Sequence, residues 1–133
     1  MKEMIKPIFL DGDHQLLTKA LDTDPQFASL SNTDKNRIQN RLNSAEKVSA
    51  EDFPNDVSRL YDRITLRNIQ SRENIQYKIV PPEEKSDWHG KISAISPLGV
   101  QLMGVKEGQS IEWQTDKKKK MFVVMEVRNA MYI

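Results

Sequence analysis

The sequence predicts an α+β chain: a short N-terminal helical hairpin followed by an antiparallel sheet that carries one short helix. Three observations predict it. Apolar residues recur at helical spacing in the first part of the chain and alternate with polar ones in the second. Prolines punctuate the chain at Pro25, Pro54, Pro81–Pro82 and Pro97, where elements must stop or start. Charge is also divided: residues 1–56 hold 10 acidic and 7 basic side chains, whereas residues 57–133 hold 9 and 13. An asymmetry of this kind marks two segments with different roles, here residues 1–50 and 51–133.

In the first segment, Asp11 or Asp13 is placed to cap a helix whose Leu16, Leu17, Ala20 and Leu21 share one face. Asp22-Thr23-Asp24-Pro25 ends it, because proline cannot continue a helix. Ser31 with Asp34 resembles a capping box. Ile38, Leu42 and Ala45 then follow at i, i+4 and i+7, with Arg37, Gln39, Asn40 and Arg41 left for solvent. The hairpin tip is irregular across residues 22–33, and Glu51 to Asp56, holding Pro54, reads as the linker.

The second segment predicts five strands. From Tyr61 to Ile69, Ile64 and Leu66 alternate with Arg63, Thr65 and Arg67. Ile75, Tyr77 and Ile79 alternate with Gln76 and Lys78 until Pro81-Pro82. Lys91 to Ile95, Ser110 to Gln114 and Met121 to Arg128 complete the set. Ser96 as N-cap and Pro97 at the first helical position open a short helix reaching about Val105, since proline lacks an N–H that this position does not need.

Composition narrows the function. The chain has 133 residues, net charge +1 and no cysteine. Disulfide and thiolate chemistry are therefore excluded. A near-zero net charge argues against a dedicated duplex-DNA binder, and no sequence-specific nucleic-acid binding is expected. No window reaches membrane-spanning length, and Met1 to Leu10 lacks the apolar run of a secretory signal, so a cytoplasmic location and no membrane partner are expected. His14 and His89 stand apart, so no metal site is expected. The five glycines are scattered singly, which leaves no phosphate loop. No serine sits in a nucleophile elbow. Neither a catalytic residue nor a cofactor is expected.

Ser93-Ala94-Ile95-Ser96-Pro97-Leu98-Gly99-Val100-Gln101-Leu102-Met103, followed by Gly108-Gln109, resembles the C-terminal signature of the GreA/GreB family. Arg41 to Val48 and Pro54-Asn55 resemble the end of that family's second coiled-coil helix and its exit. The likeness covers roughly residues 36–133. It departs at Gln101, where the family has a smaller residue, and at Ile95, where cleavage factors often carry an acid. It implies an FKBP-like C-terminal domain and, from the short N-terminal part, the group typified by the regulator of nucleoside diphosphate kinase. It further implies a monomer that docks on the rim of the RNA polymerase secondary channel through Ser96, Pro97, Leu98 and Gly99, competing with Gre-type factors without stimulating cleavage.

Hairpin length bears on that last expectation. Arms of about 10–15 residues project only about 15–22 Å, short of a cleavage factor's coiled coil. Asp22 and Asp24 at the tip offer two carboxylates to a cation, or simply terminate a helix, the commoner use of Asp beside proline. Two further functions stay open: a short-armed transcript-cleavage factor, and an FKBP-like prolyl isomerase or other protein-binding module. For the isomerase, Trp88, Trp113, Tyr61, Tyr77 and Phe122 are candidate pocket residues, with Trp113 expected in the core and Trp88 exposed. Lys117 to Lys120 reads as a solvated hairpin loop, with an acidic partner or phosphate as the alternative.

Overall fold

The computed structural model describes residues 6–114 and 118–130. Its helical part opens with strand β1 (Ile8–Leu10) and continues through helices α1 (Asp11–Thr23), α2 (Pro25–Ala28) and α3 (Asn32–Ser44) to strand β2 (Glu46–Val48). The sheet part comprises β3 (Arg63–Asn68), β4 (Asn74–Val80), β5 (Lys91–Ser93), helix α4 (Pro97–Leu102), β6 (Ser110–Gln114) and β7 (Lys119–Arg128). Single 3-10 turns occupy Pro82–Glu84 and Asp87–His89. No helix among the described residues is long and apolar enough to cross a membrane.

The α+β class holds, with two departures in detail. β1 and β2 pair in parallel, so the whole helical hairpin is the crossover between them. Three-residue strands offer no alternation to read, and Glu46 to Val48 lies where the sequence suggested a helix exit. The main sheet, ordered β5-β4-β3-β7-β6, is mixed: β5 runs parallel to β4 while the other pairs are antiparallel. Pro81 and Pro82 turn the chain out of β4, and the two 3-10 turns return it to the same end, which a tight hairpin cannot do.

Helix starts follow their side chains. Ser31 Oγ accepts from Asp34 N at 3.2 Å, and Asp24 Oδ2 accepts from Phe27 N at 3.2 Å to start α2 behind Pro25. α1 corrects the expected cap. Leu10 holds its N-cap position without a side-chain bond, and Asp13 instead turns inward to accept from Leu60 N at 3.0 Å.

One buried cluster joins the two parts: Leu17, Phe27, Ile38 and Leu42 of the hairpin with Ile64, Leu66, Ile79, Ile95, Leu102 and Val124. Each such side chain contributes about 1.5–3 kcal/mol on burial. Trp113 is half-buried and outside this cluster, against expectation, while Trp88 is 90% exposed as expected. Arg41 is the main polar fastening and was misread as solvated. Its Nε donates to Val100 O at 2.6 Å, and Nη2 donates to Gln101 O at 3.2 Å and Met103 O at 2.8 Å. These are carbonyls at the end of α4, which lack partners within that helix. Burial lowers the Arg41 pKa to about 10, which leaves it charged at neutral pH. Gly104, at φ +73°, passes beneath β1; a Cβ there would lie 2.7 Å from Ile8 O.

Asp62 makes a second polar knot. It is 1% exposed and accepts from Arg59 N at 2.9 Å and Ala130 N at 3.1 Å. Burial outweighs these bonds and raises its carboxyl above the ordinary value of 3.8. The folded state therefore holds the proton more readily than the unfolded chain does. Its contribution to stability is present at low pH and is lost as pH rises through the folded pKa. In urea unfolding, the wild type's advantage over Asp62→Asn should widen as pH is lowered from about 7 to about 4; a constant difference would contradict the raised pKa.

Candidate functional site

The turn from β5 into α4 is built by two serines and a glycine. Ser93 Oγ accepts from Ile95 N at 3.2 Å, and Ser96 Oγ donates to Ser93 O at 2.7 Å. The same Ser96 Oγ accepts from Gly99 N at 3.0 Å and so caps α4. Pro97 takes the first helical position. Gly99 lies so close to β5 that a Cβ would sit 1.7 Å from Ser93 O. The serines and Gly99 are therefore each tied to a specific contact, and Pro97 suits the first helical position. α4 ends at Leu102, shorter than the expected reach to Val105, because Met103 leaves helical geometry.

The expected docking residues come together here. Ser96, Pro97 and Leu98 are partly exposed, and Gly99 is buried. Ile95, where the resemblance anticipates an acid, is 1% exposed. Burial suits isoleucine at that position and would penalise an unpaired carboxylate.

The hairpin tip lies beside this turn. Asp24, Gln26, Phe27 and Leu30 face Ser93, Ile95, Ser96 and Pro97 across a cleft of about 50 Å³. Phe27 is 6% exposed and anchors the tip in the core. Asp24 is half-buried and engaged as the α2 cap, while Asp22 is exposed and does not line the cleft. Among the described residues, no group of three or more His, Asp or Glu is placed to hold a metal ion. α1 and α3 have 13 residues each, about 20 Å of rise. Phe27 and Leu30 were missed as part of the site, although two large apolar residues in an otherwise polar tip were a usable signal.

The aromatics do not converge. Tyr77 and Phe122 line a separate cleft of about 280 Å³ with Ile75 and Lys120, and Trp88, Trp113 and Tyr61 are not among its lining residues. Lys118, Lys119 and Lys120 are exposed, and Lys119 Nζ lies 3.0 Å from Glu112 Oε1. Lys117 lies outside the described residues.

Removing the Ser96 cap by Ser96→Ala should cost about 1 kcal/mol. Gly99→Ala should cost about 3 kcal/mol or more, because the clash is with backbone that cannot rotate away. Urea denaturation of the two variants checks the order; Gly99→Ala within about 0.5 kcal/mol of wild type would contradict the close approach.

Comparison with known proteins agrees with this geometry. The family model for transcription elongation factor GreA/GreB, C-terminal, matches residues 54–129. A regulator of nucleoside diphosphate kinase from Escherichia coli (strain K12) is 30% identical over 90 residues, covering 68% of this chain and 65% of that protein. Transcription elongation factor GreA of Syntrophobacter fumaroxidans is 32% identical over 96 residues, covering 70% of this chain and 62% of its own. The chain thus covers somewhat less than two thirds of the length of these curated relatives. A solved prokaryotic transcription elongation factor GreA/GreB from Nitrosomonas europaea superposes with TM-score 0.74 at 25% identity, covering 95% of this chain and 100% of that one. Thermus aquaticus Gfh1 shares the fold at TM-score 0.52 and 22% identity, covering 89% of this chain and 84% of that one. With its C-terminal sheet matched over more than half the chain, this protein belongs to the GreA/GreB family.

Proposed function

We propose that this chain is a transcription regulator that binds RNA polymerase at the rim of the secondary channel through Ser96, Pro97, Leu98 and Gly99. In this reading it competes with Gre-type factors and does not stimulate transcript cleavage. The observation that carries the reading is the family match across residues 54–129, which contains the whole Ser93–Gly99 turn. Two features of the tip support the absence of cleavage. Asp24 is held in place as the α2 cap, and Phe27 anchors the tip against the domain instead of leaving it at the end of a free arm. A carboxylate that must meet a remote metal ion needs reach.

A second reading follows from the E. coli relative, which is described as a regulator of nucleoside diphosphate kinase. That function needs only a complementary surface and would leave polymerase unbound.

Labelled protein should bind core RNA polymerase and be displaced by excess GreA, as competition for one site requires. Pro97→Glu keeps a residue suited to a helix start and should weaken binding about tenfold with an unchanged melting curve. Cleavage of backtracked RNA should stay at its basal rate on addition of the chain. Absence of binding at micromolar protein, or binding that GreA does not displace, would overturn the docking assignment. Stimulated cleavage lost in Asp22→Asn with Asp24→Asn would establish a short-armed cleavage factor instead.

A further inference from the structure

We infer that the solvent face of the main sheet binds single-stranded nucleic acid, holding the phosphates on a row of four cations and stacking a base on Trp88. This surface uses none of the residues of the proposed docking turn.

The row follows from strand register. Lys91 of β5 pairs with Lys78 of β4, Lys78 with Arg63 of β3, and Arg63 with Arg128 of β7. Directly paired residues project from the same face, and the next residues along, Ile64 and Ile79, are fully buried on the other. Strands spaced about 4.8 Å apart give a cationic line about 14 Å long. Arg67 stands on the same face four residues along β3.

Folding alone does not favour such a row. Like charges directly opposite each other destabilise a sheet, and here three adjacent pairings are cation on cation. Counter-charge is sparse. Arg128 Nη2 lies 3.5 Å from Glu126 Oε1, whereas Lys78 Nζ lies 6.0 Å from the Tyr61 ring. Among the described residues, Lys91, Lys78 and Arg63 have no carboxylate within ion-pair distance. The opening thus left suits an external anion.

Trp88 selects the kind of anion. Its 3-10 turn immediately precedes β5 and is tied to the end of the row: Lys91 N donates to Ser86 O at 2.9 Å, and Lys78 N donates to Gly90 O at 2.9 Å. An indole that is 90% exposed gains almost nothing from folding. A nucleobase has a flat face to stack on it. A cationic track beside an exposed aromatic is the arrangement by which proteins hold single strands without reading sequence.

The test is fluorescence anisotropy of a labelled oligouridine of about 20 nucleotides, long enough to span the row. Four phosphate contacts predict a log–log salt slope of about −2.8, which is about a 50-fold loss of affinity between 50 and 200 mM salt. Arg63→Gln with Arg128→Gln should bring the slope to about −1.4. Trp88→Ala should weaken binding about tenfold and leave the slope unchanged. No binding at the lower salt, or a slope indifferent to the two arginines, would overturn the inference. So would polyglutamate displacing the oligonucleotide as well as unlabelled RNA does, with Trp88→Ala behaving as wild type; that outcome would mark an acidic protein surface as the partner.

Discussion

Arg41 is the contact on which the arrangement of this molecule depends. It stands on α3, yet its guanidinium is spent on the carbonyls of Val100, Gln101 and Met103 at the end of α4. A six-residue helix has more unpartnered carbonyls than internal bonds, so an outside donor fixes both its end and its orientation. The planar fork of arginine reaches three acceptors at once, which an ammonium does not. That side chain adds a polar fastening between the hairpin and α4 to the buried cluster that already joins them. From α1, His14 Nε2 lies 2.8 Å from Leu42 O of α3, and Asp13 accepts from Leu60 N ahead of β3.

The position of the tip follows from this fastening. With α3 pinned to α4, α2 comes down beside Ser96 and Pro97, and Phe27 closes over the core that contains Ile95. The parallel pair β1–β2 holds the other end of the hairpin shut. An arm held at both ends behaves as part of the domain. The proposed docking turn therefore lies beside the tip, where Asp24 caps α2. The cationic row on the sheet face lies on β3, β4, β5 and β7 and owes nothing to the hairpin, so the two surfaces can be altered independently.

Much of this was legible in the residues. Helical spacing located α1 and α3, alternation located β3 and β4, and Ser96-Pro97 marked the start of α4 because capping chemistry is local. What escaped was set by tertiary partners. Arg41 sits in a run of polar residues and reads as solvent-facing; only the arrival of α4 sixty residues later in the chain gives it acceptors. Asp13 reads as a cap until Leu60 N is brought to it. β1 and β2 are too short to show a period. β5 pairs in parallel because of where its preceding turns deliver it, which no periodicity encodes. Trp113 alternates correctly for the core but lies on β6, an edge strand where burial is incomplete. The candidate turn was found through its sequence signature, while Phe27 and Leu30, its neighbours across the cleft, belong to a segment whose helix is only four residues long.

Native-state amide hydrogen exchange on wild type and Arg41→Met tests the central claim most directly. Methionine keeps most of the apolar stem and removes only the fork. The account predicts that amides of α3 and α4 lose protection worth about 2–3 kcal/mol, while β3, β4 and β7 keep theirs. Unchanged protection in α3 and α4 would contradict it, and would mean that apolar packing alone holds the hairpin to the sheet.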